Sequence, residues 1–312
     1  MHAAAPSPLD GTDAALAARS QGSTLPARVA RYVSMTKPRV LAGNVLTTAA
    51  GFALSSAGAF RLDGFLTVTI GTTLIIASAC VVNNVLDRDI DQSMARTKQR
   101  ATVTGAVSAR AASIFAAVLG LTGLAILLWM SGLLVAAIGV IGFIVYVFLY
   151  GMWSKRMSRH GTLVGSVSGA IPVLAGCVAA SGTIDATALV AFLMMFFWQE
   201  PEFYSIAIYR RDEYAAAGVP VVSVTRGIPH TKRLIVLYTA LFSVSTLALP
   251  LVASVGIVYT VVMGAVCVAW MGIALAGLRT RDDERWARGN FRFSLWVVMI
   301  MCAAFVVGPL LP

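Results

Sequence analysis

The stretch "VVNNVLDRDIDQSMARTKQR", Val81 to Arg100, decides how this chain is read. It closes an apolar run of about 20 residues, long enough to cross the hydrocarbon of a bilayer. It then presents Asp87, Asp89 and Asp91, followed by Arg96, Lys98 and Arg100. Carboxylates at the end of a spanning segment are costly, and they mark functional sites by default. Asn83, Asp87 and Asp91 are spaced i, i+4, i+8, which sets all three on one helix face. Like charges so placed repel, so a cation should answer them. Mg²⁺ is usually held by one or two carboxylates, with water and phosphate oxygens completing its shell. The spacing therefore proposes Asn83, Asp87 and Asp91 as a Mg²⁺ site. Arg96, Lys98 and Arg100 then stand ready for the phosphate oxygens of a substrate.

The rest of the chain agrees with a membrane reading. Of 312 residues, 58% are hydrophobic and only 12% charged. The mean hydropathy is +0.81. A soluble domain of this size cannot bury so much apolar surface. The formal charge of +10 then points to anionic lipid and anionic substrates, with no nucleic acid as partner. Cys80, Cys177, Cys267 and Cys302 each lie alone in apolar runs, which reads as buried thiols and not as disulfides or a zinc site.

Apolar runs predict nine spanning helices, near 40–58, 65–86, 109–130, 133–151, 161–182, 187–209, 233–251, 256–278 and 291–311. The expected fold is an all-α, polytopic bundle over residues 35–312, preceded by a disordered N-terminal tail over 1–34 that is rich in Ala, Ser, Pro and Gly. Of the 24 Lys and Arg residues, all but Arg61 fall on one set of connections. The positive-inside rule makes that side cytoplasmic. The N-terminus is then cytoplasmic and the C-terminus outside.

The sixth predicted helix ends on the same side as the second, and it also ends in acids. It reads "WQEPEFYSIAIYRRDEYAAAGVP", Trp198 to Pro220. Two similar halves, with a ninth helix added, suggest one central cavity between them. Glu200 and Glu202 fall within the span. Pro201 between them permits a kink, and Arg210 is the expected partner of Glu202. A cavity-facing role for His160, at the start of the fifth span, is weighed against simple solvation.

These segments resemble a known family. "NNVLDRDIDQSMARTKQR" looks like the first aspartate-rich motif of the intramembrane, UbiA-type prenyltransferases typified by 4-hydroxybenzoate polyprenyltransferase. "SRHGTLVGSVSGAIPVLAG", "FFWQEPEFYSIAIYRRDEYAAAGVP" and "DDERWARGNFRFS" resemble the protoheme IX farnesyltransferases, or heme O synthases. The similarity runs from about Met35 to the last helix.

The resemblance implies a Mg²⁺-dependent enzyme taking farnesyl diphosphate and heme B. It would add a hydroxyethylfarnesyl group at a heme vinyl in a bacterial inner membrane. A heme A synthase or a terminal oxidase would be its onward partner. It implies catalytic roles for Asp87, Asp91, Arg210 and Glu213. The diphosphate falls to Arg96, Lys98, Arg100, Lys155 and Tyr209, and the heme side to Glu202, His160 and Trp198. Two positions depart from the family. Glu202 stands where relatives usually carry His, and Glu200 replaces an apolar residue. Two other readings stay open: a prenyltransferase acting on an aromatic acid, and a carrier of an anionic lipid with the acids as ion sites.

Overall fold

The computed structural model describes residues 24–56, 58–94, 97–154, 157, 158 and 160–311. Every regular element among them is helical. In chain order these are α1 (Leu25–Met35), α2 (Pro38–Ser55), α3 (Leu62–Leu86), α4 (Arg88–Ser93), α5 (Ala109–Met130) and α6 (Leu133–Ile144), which continues as π-helix over Val145–Ser154. They are followed by α7 (Gly161–Ser181), α8 (Ala186–Tyr209), α9 (Arg211–Ala216), α10 (Val222–Thr225), α11 (Ile228–Ala248), α12 (Ile257–Gly277) and α13 (Asp283–Val307).

The protein is an all-α polytopic membrane protein. Among the described residues, seven helices are long and apolar enough to cross a bilayer. The remaining two long helices, α2 and α8, have 18 and 24 residues but are less apolar. Arg39, Asn44, Thr47 and Thr48 dilute α2, and Gln199, Glu200 and Glu202 dilute α8. The outer surface carries exposed Leu121, Trp129, Val268 and Trp296, as expected of a lipid-facing wall. All four cysteines are free and buried, as their apolar settings predict.

The expected helix boundaries hold to within a few residues, with two exceptions. The seventh long helix begins at Ile228 and the ninth at Asp283, five and eight residues before their apolar runs. Both first turns are polar, so hydropathy does not register them. Asp282 caps the ninth helix by accepting from Arg285 N at 3.0 Å. The tail also changes at its inner edge. Residues 1–23 lie outside the described residues, but Leu25–Met35 is helix where disorder was expected.

The predicted halves are visible in the packing. α3 packs on α5, and α8 packs in the corresponding way on α11. Each of α3 and α8 is followed by a six-residue helix, α4 or α9, with two acids in its first turn. α7 joins the halves, touching α2, α3 and α6 on one side and α8 on the other. Its contact with α2 is close: a Cβ at Gly176 would lie 2.1 Å from the Thr48 carbonyl oxygen. The α3–α5 crossing is as tight, since a Cβ at Gly123 would lie 2.7 Å from Gly71 O. Small residues let helix backbones approach where lipid offers no hydrophobic drive to association. α13 closes the bundle against α8, α12 and α2.

Candidate active site

The first acidic motif lies where α3 gives way to α4. Asp87 leaves helical geometry, with φ −86° and ψ 6°, and so ends one helix and begins the next. The i→i−4 bonds still run through it, from Asp87 N to Asn83 O at 2.9 Å and from Asp91 N to Asp87 O at 2.8 Å. The three side chains therefore keep the spacing that the sequence implies. All are buried: Asn83 and Asp91 are 3% exposed and Asp87 1%.

Cations already stand against this motif. Lys37 Nζ donates to Asn83 Oδ1 at 2.9 Å, and Arg100 Nη1 reaches Asp91 Oδ2 at 2.5 Å. Thr97 Oγ1 ties the intervening loop to the Asp91 carbonyl at 3.0 Å. Asn84 Nδ2 donates to Met35 O at 2.8 Å, and Thr102 Oγ1 to Asn84 O at 3.1 Å. The π-helical segment brings Tyr146 to the other side of Asn83, its hydroxyl 3.5 Å from Oδ1. Isolated π turns inside helices often accompany functional sites.

Lys37, Asn84 and Tyr146 were missed in the sequence. Lys37 alone left a signal, since it directly precedes Pro38. The structure gives it a left-handed backbone, φ 55°, at the only described non-glycine residue with positive φ. Such a conformation costs energy and collects at sites of function.

Lys98 is exposed, and its side chain has no hydrogen bond or ion pair among the described residues. Arg96 and Lys155, both assigned to diphosphate, lie outside the described residues. A cavity of about 510 Å³ beside the motif is lined by Leu86, Arg88, Asp89, Gln92 and Met152, so it opens on the face of α4 away from Asp87 and Asp91.

The second motif lies at the end of α8. Arg210 Nη1 pairs with Glu213 Oε2 at 3.0 Å. Burial works against the Arg210 charge, but hydrogen bonding to Tyr209 and Glu213 outweighs it and holds the guanidinium above its ordinary pKa. Arg288, from α13, lies over the Tyr209 ring at 4.8 Å. Tyr209, Arg210, Glu213 and Arg288 line a cavity of about 520 Å³. Arg211 lines the same cavity, and its Nε donates to Ser223 O at 3.1 Å.

The predicted pair of Glu202 with Arg210 does not form. Eight residues of helix separate them by about 12 Å, and α8 runs unbroken through Pro201 to Tyr209. Arg210 instead turns forward to Glu213. Glu202 is half-buried and has no ion pair or hydrogen bond among the described residues. Glu200 is fully buried and accepts from Ser166 Oγ at 2.7 Å, while its Oε2 has no partner among the described residues. Trp198 is buried and donates from Nε1 to Ser294 O at 2.8 Å, which binds α8 to α13. His160 is exposed at the N-terminus of α7. The structure thus groups Asn83, Asp87, Asp91 and Arg100 in one cluster, and Tyr209, Arg210 and Glu213 in another. Among the described residues no hydrogen bond or ion pair joins the two.

The first cluster fits a hard divalent cation. Its donors are two buried carboxylates and an amide oxygen, with basic groups poised over them. Among the described residues no three His, Cys, Asp or Glu come together as a cage. A cation shared with substrate phosphates needs no such cage, and Mg²⁺ is ordinarily bound in that way.

Comparison with known proteins gives the class. Residues 44–305 match the UbiA prenyltransferase family, and the chain belongs to it as a membrane prenyltransferase. Protoheme IX farnesyltransferase 2 of Pseudomonas fluorescens is 44% identical over 267 residues, 86% of this chain and 90% of that protein. The fold is also that of a digeranylgeranylglyceryl phosphate synthase, with TM-score 0.76, 17% identity and coverage of 90% of this chain and 98% of that one. A UbiA homolog from Archaeoglobus fulgidus, solved with GPP and Mg²⁺, superposes with TM-score 0.65 at 15% identity, covering 88% and 99%.

Proposed function

We propose that this enzyme transfers the farnesyl group of farnesyl diphosphate to a vinyl group of heme B, with addition of water, and so makes heme O. The observation that carries the acceptor is the 44% identity, over most of both chains, to a protoheme IX farnesyltransferase. The first acidic cluster supports the donor.

In this reading Asn83, Asp87 and Asp91 hold Mg²⁺, which neutralises diphosphate charge when bound. Arg96, Lys98, Arg100 and Lys155 add charge-assisted hydrogen bonds to the phosphate oxygens. Tyr209, Arg210 and Glu213 complete the diphosphate end from the second half. The C1–O bond of the farnesyl group breaks and the diphosphate leaves with the electron pair. Stabilising the negative charge that develops on the leaving group is the main electrostatic task of the site. The apolar walls limit water during this step. The vinyl electron pair attacks C1, and water captures the resulting side-arm cation and loses a proton. Glu202, with no cation paired to it among the described residues, accepts that proton.

The enzyme sits in a bacterial inner membrane with its charged end cytoplasmic and its C-terminus outside. The one-sided distribution of Lys and Arg supports that orientation. Arg61, the exception, is exposed and paired with Asp63 at 2.7 Å. Heme O would pass to a heme A synthase or a terminal oxidase.

The test is to give washed membranes farnesyl diphosphate, heme B and Mg²⁺, then extract porphyrins and read their masses. A farnesylated, hydrated heme is expected. A farnesylated aromatic acid formed from added 4-hydroxybenzoate, with heme unchanged, would overturn the acceptor. No product from either acceptor, together with movement of an anionic lipid across the bilayer, would favour a carrier.

A further inference from the structure

We propose that α1 is an interfacial anchor whose Leu25–Val29–Val33 face lies in the lipid at the charged end of the bundle, holding Lys37 against Asn83. The helix advances about 100° per residue, and its side chains divide into three faces. Met35 is buried, and Tyr32 packs edge-on against Phe115 of α5 with ring centroids 5.1 Å apart, so this face meets the bundle. Leu25, Val29 and Val33, at i, i+4 and i+8, are 75%, 54% and 49% exposed. They form a second face roughly a quarter-turn from the first. Ser34 lies on the remaining side, and Arg31, half-buried, flanks the first face next to Met35.

Three apolar side chains in water would gain nothing there. In the bilayer boundary they bury apolar area while the polar face stays hydrated, the disposition of a helix lying in the membrane plane. The position requires it. Pro38 begins a spanning helix three residues after Met35, and exposed Val40 of α2 and Ile114 of α5 continue the apolar surface along the lipid-facing wall. Arg28, Arg31 and Arg39 complement anionic headgroups.

The seat is wired to the first motif. The Met35 carbonyl that ends α1 accepts from Asn84, and Lys37, two residues on, donates to Asn83. Lys37 holds a left-handed backbone between two helices, so the position of α1 sets where its ammonium points.

Since all four native cysteines are buried, spin labels can be placed singly by Val29→Cys and Ser34→Cys in the full chain in lipid nanodiscs. The label at 29 is expected to collide more with oxygen than with a water-soluble nickel complex, and the label at 34 the reverse. Nickel accessibility at both positions overturns the seating. So does shielding at 29 that disappears when each disc holds one copy, because a second copy then covers the face.

The coupling to Lys37 rests on the diphosphate reading above and is tested without the acceptor. Binding of farnesyl diphosphate with Mg²⁺ to Val29→Asp should weaken about fivefold, the scale of one misplaced charge-assisted contact. Unchanged affinity overturns the coupling. Label accessibility decides the seating whichever way binding falls.

Discussion

Asp91 and Arg100 form a pair whose strength depends on what else occupies the site. The contact is 2.5 Å, with Asp91 4% and Arg100 24% exposed at the side chain. Breaking a fully buried pair costs about 3–5 kcal/mol, and an exposed pair is worth about 0–1 kcal/mol. Asp91 lies near the first limit and Arg100 between the two, so about 2 kcal/mol of coupling is expected, roughly 30-fold in an equilibrium constant. The assay is a double-mutant cycle of Asp91→Asn and Arg100→Gln, read by reversible unfolding in mixed micelles. If Asp91 also holds Mg²⁺, saturating Mg²⁺ and farnesyl diphosphate should lower the coupling to below about 0.5 kcal/mol, because the carboxylate then has another partner. Asp91→Asn should also abolish transfer while the protein still inserts. Coupling below about 0.5 kcal/mol in the ligand-free protein would refute the energetic reading of the contact. Coupling that ligand leaves untouched, or full turnover by Asp91→Asn at ordinary Mg²⁺, would refute the metal assignment.

Lys98→Ala should weaken farnesyl diphosphate binding about threefold to tenfold, as one exposed phosphate contact is lost. Heme affinity should not change, and the reverse pattern in titrations would assign Lys98 to the heme carboxylates. Gly176→Ala should destabilise the bundle by about 3 kcal/mol or prevent insertion, because overpacking against backbone has no side chain to move aside. The Cβ would sit 2.1 Å from Thr48 O, whereas at Gly264 it would meet nothing within 4 Å. Gly264→Ala should accordingly be neutral or stabilising by up to about 1 kcal/mol in the same unfolding assay. Glu202→Gln should fold normally, since no ion pair is broken, but should lower heme O production; wild-type yield in extracted heme would remove Glu202 from the mechanism. Glu202→His should remain active with an altered heme spectrum.

Much of this architecture can be read from hydropathy because lipid imposes one rule along each span. The runs near 109–130 and 161–182 end within a residue of α5 and α7. The rule fails where a helix leaves the hydrocarbon. The N-terminal ends of α11 and α13 carry Lys232, Asp283 and Glu284, and Lys232 and Asp283 pair with each other there. α1 makes no run for a related reason: Arg28, Arg31 and Ser34 interrupt its apolar residues, although Leu25, Val29 and Val33 make a face.

The site divides along a similar line. Asn83, Asp87 and Asp91 announce themselves by spacing on one segment, and helical bonds preserve that spacing through the break at Asp87. Their surroundings come from far away in sequence. Lys37 is 46 residues from Asn83, and Tyr146 is 63 residues from it. Pro38 marks Lys37 as a restricted position, but the contact with Asn83 and the π-helical segment are fixed by what packs around them. The Glu202 expectation failed from too local a view. It sought a partner along the same helix, where rise per residue keeps eight-residue neighbours about two turns apart. Arg210 found a carboxylate three residues ahead, and Glu202 has no ion pair among the described residues. A carboxylate inside a span with no cation offsetting its burial is expensive. The Glu202 variants therefore separate a group retained for chemistry from one merely tolerated at the edge of a cavity.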